Sequence, residues 1–147
     1  MKERVPRLRE QRGLDLVIAN AENAAHGRGI TTKIVDEMLK TGVDLLTSGN
    51  HIWHCEEVFG YLKQKTCRLL RPANFSPLAP GQGWAFCETK KGPRVAVVNL
   101  IGRLFMPQQA DHPLVIAYAV LEKVAGQADL TVVDMHGEAT SEKRVVG

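Results

Sequence analysis

The sequence predicts an α/β fold, and three observations carry the prediction. Short apolar runs suited to strands alternate with segments whose apolar residues recur at helical spacing. The strand runs are continuous rather than alternating, as expected for a largely parallel sheet covered by helices on both faces. Two of them, Trp84–Thr89 and Arg94–Leu100, flank Lys90–Pro93 in a hairpin-like pattern, so part of the sheet is expected to be antiparallel.

Each element has its own signal. Glu3–Gln11 mixes basic and acidic residues around Val5 and Leu8, and Gly13 follows as a C-cap, so a helix is expected. Leu14–Ala19 reads as a buried strand. Thr31–Thr41 places Ile34, Val35, Met38 and Leu39 on one helical face and stops at Gly42. Val43–Thr47 is a second buried strand, Glu56–Lys65 a helix, and Leu69–Leu70 a short strand before the turn at Pro72. Pro113–Ala125 is helical and Asp129–Met135 is a further apolar strand. Glu138–Lys143 reads as a solvated helix start capped by Thr140 or Ser141.

The 147 residues correspond to one domain, and 44% hydrophobic with 24% charged residues is ordinary globular composition. Nineteen basic against sixteen acidic residues leave +3, too little and too scattered to argue for nucleic acid or a membrane surface. No apolar run approaches the roughly 18 residues of a membrane span, and the N-terminus lacks an apolar signal region. Membrane, secreted, collagenous and disordered classes are thereby excluded. Cys55, Cys67 and Cys87 are odd in number and widely spaced, and read as free thiols of a reducing cytosol. A cytoplasmic location is therefore expected. No GxGxxG follows a strand, and neither GxxxxGK[ST] nor GxSxG occurs, which removes dinucleotide, P-loop and serine-hydrolase readings.

The functional signal lies at the carboxyl ends of the strands. Leu14–Ala19 runs into Asn20, Ala21, Glu22 and Asn23; Val43–Thr47 into Ser48, Gly49, Asn50 and His51; Leu130–Met135 into His136, Gly137 and Glu138. The strand Arg94–Val98 runs into Asn99, with Gly102 and Arg103 shortly after. Ligands of open α/β sheets bind outside the carboxyl ends of strands, so these groups are expected at one edge. Each cluster also has a plain structural reading. Asn20 and Asn23 suit a strand-to-loop turn closed by local side-chain bonds, Gly49–His51 suits a turn, and His136 suits a buried hydrogen-bonded ring. Their coincidence favours a site. Glu, Asn and His form an oxygen-and-nitrogen donor set fit for iron, manganese or zinc in a hydrolytic centre. Two such metals, about 3.5–4 Å apart, need a bridging carboxylate. Glu22 is the natural bridge, with Asn23, Asn50 and His136 as terminal ligands. His26, His54 and His112 have no such setting and are expected at the surface or rim.

Five stretches, Ile18–Gly29 (IANAENAAHGRG), Thr47–Trp53 (TSGNHIW), Leu70–Asn74 (LRPAN), Asn99–Pro107 (NLIGRLFMP) and Asp134–Lys143 (DMHGEATSEK), resemble the bacterial YmdB-like branch of the calcineurin-like metallophosphoesterases. The resemblance runs in order through essentially the whole chain. It implies a layered αββα domain and a dinuclear metal phosphodiesterase, with iron as the usual metal and manganese or zinc as alternatives. It implies as substrate a small phosphodiester such as a 2′,3′-cyclic nucleotide, and a homo-oligomeric full-length protein. On it, Glu22 matches the bridging carboxylate, Asn23 a ligand of the first metal, and Asn50 and His136 ligands of the second. His51 matches the histidine that protonates the leaving oxygen. Arg103 is a candidate phosphate clamp, with a surface salt bridge as its alternative.

The family pattern also begins with a strand and a GDIVG-like turn whose aspartate binds metal, and ends with a GTHTH-like motif whose histidines bind metal. Met1 falls where the resemblance places the following helix. The expectation is therefore an incomplete domain over 1–147, lacking the first strand and the last metal-binding strand. Two competing readings remain: a non-catalytic nucleotide-binding or regulatory module, and an inactive gene fragment.

Overall fold

The computed structural model describes residues 3–147, so Met1, expected within a helix, lies outside the described residues. Among the described residues, five helices and five strands follow in the order α1 (Arg4–Arg12), β1 (Ile18–Asn20), α2 (Thr32–Lys40), β2 (Leu45–Thr47), α3 (Glu57–Leu62), β3 (Trp84–Glu88), β4 (Arg94–Ile101), α4 (Pro113–Val124), β5 (Leu130–His136) and α5 (Thr140–Val146). Local chemistry explains several boundaries. The Thr31 hydroxyl accepts the Ile34 N–H and opens α2. Gly13 closes α1 in the left-handed region, where a Cβ would be strained. Pro113 stands in the first turn of α4, where its missing N–H costs nothing.

The strands divide between two sheets rather than one. β1 and β2 pair in parallel, with Leu69 bridging to Leu46 as a third short contact. The other sheet has the order β3-β4-β5, antiparallel across β3–β4 and parallel across β4–β5. β4 shows how the layers stack. Val95 and Val97 join Leu45 and Leu70 between the sheets, while Ala96, Val98 and Leu100 turn the other way onto Ala117, Val120 and Val124 of α4. On the far side of β1–β2, Leu46 packs with Val35 and Met38 of α2 and Val58 and Leu62 of α3. The order is helices, sheet, sheet, helices: the layered α/β fold implied by the family resemblance. A reading of the apolar runs as one largely parallel sheet is thus corrected. Doubly buried strands look alike in sequence whether they are covered by helices or by a second sheet.

Two smaller expectations change. Leu14–Val17 is not strand; β1 starts only at Ile18, and Leu14 is exposed. Neither Thr140 nor Ser141 caps α5. Ala139 occupies that position without a side-chain bond. The nearby Glu142 carboxylate turns back instead, accepting the N–H groups of Arg103 and Leu104 at 2.8 and 3.1 Å.

Candidate metal centre

Three parallel strands bring their carboxyl ends to one place. Asn20 ends β1 opposite Thr47 at the end of β2, and His136 ends β5 opposite Ile101. Asp134, one pleat before His136, ties the sheets together at this edge. Its carboxylate accepts the Thr47 hydroxyl, and also the Asn20 amide at 3.1 Å. Asn20 Oδ1 accepts the Glu22 N–H at 3.1 Å, so the local-turn reading holds for Asn20 while the turn itself presents Glu22. Behind the Ser48–His51 loop, buried Asn99 donates to the Ser48 and Leu70 carbonyls at 3.1 and 3.2 Å, while the Ser48 hydroxyl donates to Leu70 O at 2.7 Å.

Glu22 is the centre of the cluster and only 1% exposed. Its two carboxylate oxygens face two different groups. On one side, Oε1 lies 3.1 Å from His51 Nδ1 and accepts the His51 N–H at 3.3 Å, while Asn23 Oδ1 meets the same ring nitrogen at 3.0 Å. On the other side, Oε2 lies 3.1 Å from His136 Nε2, which meets Asn50 Oδ1 at 3.0 Å. Glu22 Oε2 is buried, and this close approach of His136, which lacks the alignment of a formed hydrogen bond, is its one polar contact among the described residues. The Glu22 carboxylate raises the pKa of His136 above the usual imidazole value; burial opposes this, and Asp134 and Glu138 add to it.

The fit to cations rests on this geometry. A carboxylate buried without Lys or Arg is costly unless a cation sits beside it. Gly49 makes the space: a Cβ there would lie 1.4 Å from Glu22 Oε2 and 2.5 Å from the His136 ring. The donor set is amide and carboxylate oxygen with imidazole nitrogen, without thiolate, as suits iron, manganese or zinc. No closed group of three or more His, Cys, Asp or Glu ligands occurs among the described residues, so amide oxygens complete what each side offers.

The structure therefore brings together Glu22, Asn23, Asn50, His51 and His136. Arg103 stands apart, exposed on the rim of a polar recess with Asn74, Gln108 and Asp111, and among the described residues it has no ion-pair partner. His26, His54 and His112 are exposed, as expected. Two contributors were missed in the sequence. Asp134 had a usable signal, since it lies two residues before His136 and so on the same strand face. Gln108, whose side-chain amide donates to the Asn50 carbonyl at 3.0 Å, comes from a loop with no pattern to reveal it.

A layered α/β domain that gathers a buried carboxylate, two amides and two imidazoles at its strand ends has the frame of a metallophosphoesterase. The chain belongs to the YmdB-like protein family, which it matches over residues 1–147. It is 39% identical over 147 residues, all of this chain and 54% of the relative, to a Bacillus subtilis (strain 168) protein named 2′,3′-cyclic-nucleotide 2′-phosphodiesterase. A crystal structure of a hypothetical protein from Thermus thermophilus superposes with a TM-score of 0.88 at 36% identity, covering 99% of this chain and 54% of that one. A Mycoplasma pneumoniae structure described as a novel phosphatase superposes with a TM-score of 0.85 at 32% identity, covering 99% and 52%. The chain thus spans about half the length of the curated relatives it matches. Among the described residues, no helix is long and apolar enough to cross a membrane.

Proposed function

We propose that this chain carries the central part of a dinuclear metal-dependent phosphodiesterase site acting on small phosphodiesters such as cyclic nucleotides. One observation carries the reading: the buried Glu22 carboxylate, each of whose oxygens faces one imidazole nitrogen that in turn meets one side-chain amide oxygen. The name of the Bacillus subtilis relative supports a 2′,3′-cyclic nucleotide as substrate. Glu22 would bridge, Asn23 would serve one metal, and Asn50 and His136 the other; iron is the metal of choice, with manganese or zinc as alternatives. When bound, such ions supply an activated water and neutralise charge on the phosphoryl oxygens.

The remaining chemistry belongs to the chain. Nδ1 of His51 faces two acceptor oxygens and so carries a proton, which leaves Nε2 to act on the substrate. As the P–O bond breaks, the imidazolium form of His51 passes its Nε2 proton to the departing oxygen and is left as the neutral Nδ1–H ring, a contribution of about a hundred- to ten-thousand-fold. Arg103, on the rim, would hold a non-reacting phosphate oxygen. The location proposed is the cytoplasm, and the full-length form is proposed to be a homo-oligomer.

The test is metal-dependent thermal stability together with turnover of a 2′,3′-cyclic nucleotide. Mn²⁺ at about a hundred times its Kd should stabilise the protein by about 2.7 kcal/mol. Glu22→Gln should abolish that shift while keeping the fold, and His51→Ala should keep the shift but lose turnover. A metal response unchanged in Glu22→Gln, or full turnover in His51→Ala, overturns the assignment. Ligand-induced stabilisation by a cyclic nucleotide that is never consumed would favour the non-catalytic binding module instead.

A further inference from the structure

Beside the metal centre lies a second cleft, of about 510 Å³, lined by Trp53, Phe59, Phe75, Pro80, Gln108 and Gln109 among others. Its wall is aromatic: Trp53 stands 5.1 Å from Phe59 and 6.0 Å from Phe75, centroid to centroid, with both pairs tilted. Phe75 is buried in the core, whereas Phe59 is 38% exposed at the mouth. Two connections join this cleft to the catalytic edge. Trp53 is two residues beyond His51 in the same loop, and Gln108 donates its amide to the carbonyl of Asn50. That bond also orients Gln108, so that Oε1 is a buried acceptor with no donor.

We propose that this cleft is a nucleobase-binding subsite, resting on the phosphodiesterase reading above. A base is a flat, largely apolar ring with N–H groups at its edge. The cleft offers the complement: aromatic faces for stacking, and in exposed Gln109, beside the buried amide of Gln108, a polar group for the edge. A purely apolar peptide side chain would use the aromatic wall and leave the amides idle. The position suits a nucleotide whose phosphate lies at Glu22 and His51, because one loop and one side chain span both places. Phe59 supplies the open stacking face, and Gln108 couples base occupancy to the Asn50 loop.

The experiment uses the full chain with Trp84→Phe, so that Trp53 is the sole tryptophan and reports on the cleft. Adenosine, which carries a base and no phosphate, should quench its fluorescence saturably. Phe59→Ala should weaken that binding at least about fivefold, the lower end of a lost base–aromatic stack, while its circular dichroism spectrum and its stabilisation by Mn²⁺ stay unchanged. Failure of adenosine to bind, or equal binding by the Phe59→Ala variant, overturns the subsite. Glycerol 1,2-cyclic phosphate separates this proposal from the function it rests on. If that base-free ester is hydrolysed while adenosine does not bind, the phosphodiesterase reading stands and the subsite falls. If adenosine binds with Phe59 dependence and no phosphodiester is consumed, the subsite stands alone.

Discussion

At the scale of single residues, the centre depends on one missing side chain. Gly49 lets Glu22 and His136 approach across a gap that any Cβ would occupy. Gly49→Ala should therefore displace the Glu22 carboxylate and cost about 1–3 kcal/mol, as overpacking does. Urea unfolding of the two proteins measures this, and a variant with unchanged stability and metal response would contradict the geometry. The thiols give a separate test. Burial pushes Cys67 and Cys87 above the usual thiol range, and for Cys87 the charges of Asp44 and Glu88 add to it. Only the thiolate is nucleophilic, so its population at pH 8 is reduced relative to a free peptide thiol. Alkylation of both should be slow at pH 8 and still rising above pH 9, followed by mass spectrometry of each peptide.

At the scale of elements, side-chain bridges between sheets determine how the strand ends meet. Asn99 on β4 reaches across to the Ser48 and Leu70 carbonyls, and Asp134 on β5 reaches to Thr47 and Asn20. Both point to the inter-sheet side, in register with each other as the Asn99–Asp134 pair. Asn99→Ala should take one of two donors from each of two buried carbonyls, since Asn20 still reaches Ser48 O and the Ser48 hydroxyl still reaches Leu70 O, and destabilise the protein by about 0.5–1.5 kcal/mol. Denaturant midpoints should fall with unchanged m-value, since the surface exposed on unfolding is the same. The helices contribute differently. α2 and α3 bury Val35, Met38, Val58 and Leu62 against β2, whereas α1 has no fully buried residue, packs only Val5 against the core, and is held by Arg9 on Asp44 at 2.7 Å.

At the scale of the molecule, the two sheets do not match in width. Among the described residues, the β1–β2 sheet has two strands and faces a sheet of three, which leaves the near end of β5 without cover from them on its inner side. Leu130 is 61% and Val132 42% exposed there, although Val97, the partner of Val132 on β4, is fully buried. An apolar strand at a sheet edge is a template for self-association. Val132→Lys should raise the temperature at which light scattering begins, while shifting unfolding stability by no more than about 0.5 kcal/mol. Scattering onset equal to that of the parent would show that this edge does not drive association.

Much of this protein was legible in the linear sequence because the signals are local. Apolar runs, helical spacing and Gly or Pro punctuation located the elements to within a few residues. The Asn-rich and His-containing strand ends marked Glu22, Asn23, Asn50, His51 and His136, which the structure gathers within hydrogen-bonding distance of one another. The expected caps of α5, Thr140 and Ser141, are instead its first two helical residues, and the Glu142 carboxylate beside them meets the N–H groups of Arg103 and Leu104, a long-range contact that propensity does not see. The division of the strands into two stacked sheets was implied by the family resemblance but not by the apolar runs, and two things were decided only by tertiary structure: the approach of Glu22 Oε2 to His136 across a space opened by Gly49, and the tie from Gln108 to the Asn50 loop. Each depends on atoms distant in sequence meeting in the core. A strand's pattern records that it is buried, and packing alone determines what buries it.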